Sequence, residues 1–432
     1  MAETLATVAY AALQLMNEDY AGRPECAARD AADELLAACV AATEAGALDE
    51  KAFAWLMRQY VVGFQDPNLS FEAKTVKSMT CGFSVRRFED ALYVTKVRED
   101  ARFTQGDRIV LVDGLGLDEH LSGMVGNPVN GEVPERQLWD EVLAHCATVR
   151  VRHANGAEEE LPVRLFPKPN LVEGLLPPTV DVVENAGPNG DECAAIVTMH
   201  HFVDGSVLQA LQARFADIQR AQRVVIDVRD AEEGMIGNAF GLLALFFDRE
   251  VNLKDLMGES AMLTRYTKLN AYLRQQQLAR LLAVSDQDGK AWVQAEIDHV
   301  AACAGKGFVK EAEHEEEVLF PPAPEGMQVF LLTDVRTAGP AERLVAIARH
   351  AAACGCGKVL SVGRATRGGL DYSNMVEVPL DERFSLVYAI SKTEAAHEGR
   401  GVLGCGLAPD IAVPFEPAEC TEDVVLHKAL RL

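Results

Sequence analysis

Three apolar runs limit the folds open to this chain: Ala194-Ala-Ile-Val-Thr-Met199, Arg223-Val-Val-Ile-Asp-Val228 and Met327 to Asp334. None shows the polar alternation of a strand with one wet face, and each is followed by a helical pattern. A strand apolar on both faces has to be covered on both faces. That requirement points to an α/β core around a largely covered sheet. Helices are expected at Ser206–Ala221, Gly237–Phe247 and Ala341–Ala353, and further strands at Val359–Gly363 and Phe384–Ile390. Residues 253–317 are polar with helical spacing and read as a helical excursion from that core.

Two differently patterned regions precede the core. Residues 1–74 place Leu5, Val8, Ala12 and Leu13, then Leu35, Leu36, Cys39 and Val40, then Phe53, Leu56, Met57 and Tyr60 at helical spacing. Gly22-Arg-Pro24 and Gly46 interrupt the run, so an N-terminal helical domain of about three helices is expected. Residues 75–165 carry the β-branched runs Ala91–Val97 and Arg108–Val112, the turn Asp113-Gly114, a helical pattern over Glu135–Cys146, and a strand at Thr148–Arg152. Pro167, Pro169, Pro177 and Pro178 mark a linker, and the core is taken as 166–432. A chain of 432 residues accommodates two or three such units.

The charge balance excludes some partners. With 41 Lys+Arg against 65 Asp+Glu, the formal charge is -24, and Arg86-Arg87 is only a pair. Nucleic acid and anionic membranes are therefore not expected partners. Met1–Tyr20 has Glu3, Glu18 and Asp19 and no basic start, and Phe240–Phe247 is too short to span a bilayer, so a cytoplasmic location is expected. Ten cysteines without repeating spacing are expected to be reduced. Cys354-Gly-Cys356 lacks a second ligand pair and reads as buried thiols, and no metal or cofactor is expected. His200-His201 should point to opposite faces, one buried and one exposed. His299 and Cys303, at i and i+4, could hold zinc in principle, while His314 with Glu315–Glu317 reads as a solvated face.

Four blocks, in order, carry a resemblance. They are Gly63-Phe-Gln-Asp66-Pro67-Asn68; Leu92-Tyr-Val to Gly106-Asp107-Arg108-Ile109 and Asp113-Gly114; Val225-Ile-Asp227-Val-Arg229; and a composite C-terminal set. That set is Thr337-Ala338-Gly339-Pro340-Ala341-Glu342, then Gly363-Arg-Ala-Thr366-Arg-Gly368-Gly369, then Gly406-Leu-Ala-Pro409-Asp410-Ile411-Ala-Val413. Together they resemble the tail-specific, or C-terminal processing, serine peptidases, whose relatives include the tricorn core and retinoid-binding-protein modules. The resemblance implies a crotonase/ClpP-like spiral core, an N-terminal helical domain and a PDZ-like β-rich module at 75–165.

The same resemblance implies lost chemistry. The family's nucleophilic serine corresponds to Gly339, its activating lysine to Gly369, its alternative histidine to Asn68, and its orienting acid to Leu403. Without a hydroxyl and a base no acyl-enzyme forms. The oxyanion turn reads Arg229-Asp230-Ala231-Glu232-Glu233-Gly234, which sets carboxylates where amide donors are needed. Thr337, Ser361, Ser373 and Cys405 are conceivable substitute nucleophiles and Lys392 a conceivable base, but none has an evident partner. A glycine engineered in place of serine would explain Gly339 but not Asn68, Leu403 or the acidic turn.

A pseudoenzyme that binds extended peptides or protein C-termini is the reading that follows. An active peptidase using unidentified residues and a scaffold subunit, with an oligomer possible, remain the alternatives. In the PDZ-like module, Gly82, Phe83, Ser84 and Arg86 are the expected peptide-binding residues. Backbone amides of a Gly-containing loop hold a terminal carboxylate while the peptide adds as a strand, and Arg86 supplies positive charge.

Overall fold

The computed structural model describes residues 4–22, 26–44, 48–124, 133–168, 175–256, 261–311 and 317–432, the side chains of 26–31 and 288 excepted. The Gly46 break, Pro169 of the linker and His314 lie outside the described residues.

The three apolar runs lie side by side. Glu192–Thr198, Arg223–Asp227, Gln328–Thr333, Val359–Gly363 and the short Ile411–Ala412 are parallel neighbours, and Thr179–Ala186 adds an antiparallel edge beside Glu192–Thr198. Alternation along each strand divides its side chains between two covers. Val224 and Ile226 join Leu331 and Val329 under helices Ser206–Ala213, Ile236–Leu243 and Gly339–Ala353. Val225, Phe330, Leu332 and Val362 face Val425 and Ala429 of the C-terminal helix Val424–Arg431. Both faces are dry, which is why the strands read as continuous apolar runs.

A second sheet changes the reading of 253–317. Phe384–Thr393 is its centre, flanked by Tyr372–Pro379, Ser70–Ala73 and Met262–Tyr266, the last of which pairs with Gly307–Lys310. Helices Leu5–Glu18 and Glu50–Val62 bury Val8, Met16, Phe53 and Met57 in one cluster with Phe384, Leu386 and Tyr388. The described helices of the 1–74 segment thus share one hydrophobic cluster with this sheet. The 253–317 segment is more than a helical excursion. Its helices Lys268–Val284 and Gln287–Cys303 form a hairpin whose two flanking strands anchor it to this sheet.

The region after residue 75 forms a five-stranded antiparallel sheet, Phe83–Phe88, Ala91–Val97, Arg108–Val112, Thr148–Arg152 and Glu158–Pro162. Its core surrounds the fully buried Trp139. The helix expected over Glu135–Cys146 is only a 3-10 turn, Pro134–Arg136, and a five-residue helix, Trp139–Leu143. Leu138 leaves helical geometry at ψ 54, and the Trp139 indole N–H then donates to Gln137 Oε1 at 2.8 Å. Burying that ring with its donor satisfied overrides the helical pattern. Among the described residues no helix is long and apolar enough to cross a membrane, and the described cysteines are free thiols.

Candidate functional site

Parallel strands deliver their following loops to one end of the sheet, where ligand sites of open α/β sheets form. Asp227 pairs with Leu332, and Thr333 with Gly363. The turns 228–234, 334–339 and 364–371 therefore meet beyond those residues.

Gly339 opens the Gly339–Ala353 helix with φ +53, a conformation that glycine tolerates without a Cβ penalty. A Cβ there would lie 2.9 Å from the backbone oxygen of Glu232. The adjacent carbonyls are oriented similarly into the structure. Ala231 O accepts from the Ala338 N–H at 3.3 Å, and Glu233 O accepts from the Phe202 N–H at 2.7 Å. Position 339 thus faces the Glu232 carbonyl oxygen, an acceptor. Gly234, at φ +126, is pressed against the Phe202 backbone. The Asp230 carboxylate lies 3.9 Å from Arg336, and Glu232 lies 3.3 Å from Arg367.

One turn into the helix, the fully buried Glu342 carboxylate accepts from Thr366 Oγ1 at 2.5 Å, Gly368 N at 2.6 Å and Gly369 N at 2.9 Å. Burial raises its pKa, and these donors with Arg136 oppose the rise. Gly369 is backed by Pro67: a Cβ would meet Pro67 Cγ at 2.9 Å. Asn68 donates from Nδ2 to the Gly369 and Tyr372 carbonyls, both at 3.0 Å. The Leu403 N–H donates to the buried Asp371 at 2.7 Å, and the 402–406 turn packs on Gly368. Asn68, Gly369 and Glu342 form one connected chain of contacts, with Gly339 one turn before Glu342 on the same helix and Leu403 joined through Asp371 and Gly368. Each polar group in that chain stitches backbone together.

The carbonyl of the expected carboxylate loop is held by its own chain. Gly82, at φ +75, accepts at its carbonyl from the Arg98 and Glu99 amides, at 2.8 Å and 2.9 Å. Phe83 is buried against Phe103 at 4.1 Å, and the buried Ser84 hydroxyl accepts from Arg98 at 3.0 Å. On the open edge of this strand the Val85 N–H donates to Asp140 at 2.7 Å. Arg86 corrects the expectation most directly. Its guanidinium is bidentate on Asp334 at 3.1 Å and lies over Phe415, so it offers no charge to a peptide. Asp334 also meets Arg364, which binds Glu135 and Glu419 as well. Burial opposes ionisation of Asp334, yet Arg86 and Arg364 hold its carboxyl below the ordinary range. This network ties the five-stranded module (Arg86, Glu135) to the core (Asp334, Arg364, Glu419).

Three of the substitute residues are also engaged. Ser361 donates to Asp410 at 2.6 Å, Thr337 donates to the Val228 carbonyl at 3.1 Å, and Lys392 lies 4.5 Å over the Phe308 ring. His299 is held by Glu311 at 2.9 Å, with Cys303 at 3.8 Å. His201 is buried and accepts from the Val203 N–H at 3.3 Å.

What sequence reasoning missed is a cleft of about 410 Å³ between module and core, whose lining includes Gln65, Glu135, Arg136, Val335, Ala365 and Cys405. Arg136 is 6% exposed and donates only to backbone carbonyls, reaching Thr366 O at 2.7 Å and Arg367 O at 2.8 Å. Its Nε has no partner. Among the described residues no carboxylate lies within ion-pair distance of it, and burial lowers its pKa. The Glu342 and Glu135 charges counter that burial from beyond ion-pair distance, and a ligand carboxylate would add a direct partner. No motif flagged Arg136, because it lay inside an apparently ordinary amphipathic pattern.

No protein-family model matches the chain, and no curated protein matches its sequence. Solved structures do match. Mature CPAF complexed with lactacystin aligns over 98% of this chain and 95% of its own, with a TM-score of 0.64 and 12% identity. Mature CPAF aligns over 99% and 94%, with a TM-score of 0.61 and 12% identity. The photosystem II D1 C-terminal processing protease aligns over 96% and 94%, with a TM-score of 0.44 and 13% identity. At 12% identity the shared property is architecture: over 98% of its length this chain has the fold of mature CPAF.

Proposed function

We propose that this chain is a tail-specific-peptidase-like protein that binds extended polypeptide without cleaving it. The observation that carries the reading is the Glu232 carbonyl, 2.9 Å from where a side chain at Gly339 would begin. A side chain there would overlap the Glu232 carbonyl at a backbone φ of +53, so a serine could not take this position without a shift of the backbone. The residues matched to base and acid are used as struts. Asn68 braces the 369–372 backbone, and Pro67 fills the space beside Gly369.

Binding is assigned to the cleft at Arg136. Its unpartnered Nε favours a carboxylate, and the free C-terminus of a peptide supplies one. The five-stranded module is read as PDZ-like in descent, with its strand edge closed by Asp140. The likeness to CPAF supports a polypeptide as the ligand class.

The test has two arms. The purified protein should show no labelling by a fluorophosphonate probe and no hydrolysis of casein, and Gly339→Ser should change neither. Peptides with a free carboxyl terminus should bind more tightly than their amidated forms, and Arg136→Gln should remove that difference. Turnover abolished by a serine-directed reagent would sink the non-hydrolytic reading. Equal binding of free and amidated peptides would sink the role of Arg136.

A further inference from the structure

We infer that the five-stranded module carries a zinc(II) site formed by Asp113, His120 and Cys146. Their donor atoms all lie within 4.8 Å of one another, and among the described residues this is the only such cluster. The His120 Nε2 to Cys146 Sγ separation is 3.6 Å. A tetrahedral zinc with bonds of about 2.3 Å to sulfur and about 2.05 Å to nitrogen places those two atoms about 3.5 Å apart. No rearrangement of the pair is required.

The surrounding structure holds the donors in place. Asp113 ends the Arg108–Val112 strand, and its Oδ1 accepts from the Ala147 and Thr148 amides, both at 2.8 Å. Those bonds orient the carboxylate and leave Oδ2 for a metal, as outer-shell bonds do in known sites. His120 lies on helix Leu117–Ser122, with its ring 6.3 Å from the Trp139 ring. Cys146 sits between helix Trp139–Leu143 and strand Thr148–Arg152, and Val142 O lies 3.2 Å from its sulfur. Three segments that diverge in sequence are thereby aimed at one point.

Two other histidine–cysteine pairs provide an internal contrast. His299–Cys303 at 3.8 Å and His350–Cys354 at 3.5 Å are i, i+4 neighbours on single helices, and neither belongs to a three-donor cluster. One sulfur, one imidazole and one carboxylate suit zinc better than magnesium or calcium, which take oxygen. On binding, the Cys146 S–H bond breaks, its sulfur pair forms the bond to zinc, and the proton leaves to solvent. Asp113 is exposed and the other two are half-buried, so the fourth position faces solvent, the arrangement of sites that accept water or an exogenous ligand.

The full chain, stripped of metal, is titrated with zinc against a chromophoric chelator and separately with cobalt(II). One equivalent of zinc should bind, with release of a proton, and cobalt should give a sulfur-to-metal charge-transfer band. Cys146→Ser should abolish that band and weaken zinc by at least about tenfold. Asp113→Asn keeps the amide-accepting oxygen, so it should preserve the fold and the band while weakening zinc. The double variant Cys303→Ser/Cys354→Ser should bind as the parent does. Unchanged affinity in both Cys146→Ser and Asp113→Asn, loss in the double variant, or no stoichiometric zinc in the parent would overturn the assignment.

Discussion

Asp66 offers a quantitative test of how the site is built. It follows the Glu50–Val62 helix, is 4% exposed, and accepts from Tyr20 Oη at 2.7 Å and the Asn68 N–H at 2.9 Å. Burial pushes its carboxyl up from 3.8 to about 6; those two hydrogen bonds oppose the shift, and the Asp371 charge adds to it. The folded protein then holds a proton that the unfolded chain has released, so stability falls as pH rises from 3.8 to about 6. The whole displacement corresponds to about 3 kcal/mol, of which roughly half lies between pH 5 and pH 8. Asp66→Asn removes the titration while keeping an oxygen for Asn68 and an N–H group for the Tyr20 hydroxyl. Urea unfolding of parent and variant at pH 5 and pH 8 isolates the effect from every other titrating group. The stability of the variant relative to the parent should rise by on the order of 1 kcal/mol between the two. A difference independent of pH would refute a protonated Asp66.

Other perturbations give separate outcomes. Glu342→Ala leaves three buried donors unmet and should cost about 3–5 kcal/mol in urea unfolding, whereas Glu342→Gln, which keeps an acceptor, should cost less. Arg364→Met strands Glu135 and Glu419, leaves Asp334 to Arg86 alone, and should also cost about 3–5 kcal/mol, seen as faster proteolysis between module and core. Because Arg364 is 2% exposed, added salt should not rescue that variant, and rescue by salt would contradict a buried network. Val85→Pro removes the N–H held by Asp140 and should loosen the Trp139–Leu143 helix, read by hydrogen exchange at Trp139.

The covered strands were legible because burial on both faces leaves an unbroken apolar run, as at Arg223–Asp227 and Gln328–Thr333. The loops of the site were legible as ordered motifs, since glycine is placed where backbones approach closely, as at Gly339 and Gly368. The fate of Arg86 was not. Its partner Asp334 lies 248 residues away, and no local pattern encodes which carboxylate a cation will meet. Strands Met262–Tyr266 and Gly307–Lys310, of five and four residues, were too short to register beside two 17-residue helices. Trp139 was missed as a helix breaker because its packing against the sheet is a tertiary effect.

The pairing of Ser70–Ala73 with the Phe384–Ser385-Leu386-Val387 stretch bears on biosynthesis. The opening helices emerge from the ribosome first, but the strand that completes their core follows about 300 residues later. At roughly 5–20 residues per second, Phe53 and Met57 wait on the order of tens of seconds for Phe384 and Tyr388. During that interval the nascent chain exposes an apolar helical surface, so holdase chaperones should engage it early and release it only after the last strand of that sheet is made. Stalling translation before residue 384 should leave the N-terminal segment protease-sensitive, and stalling well beyond residue 393 should protect it.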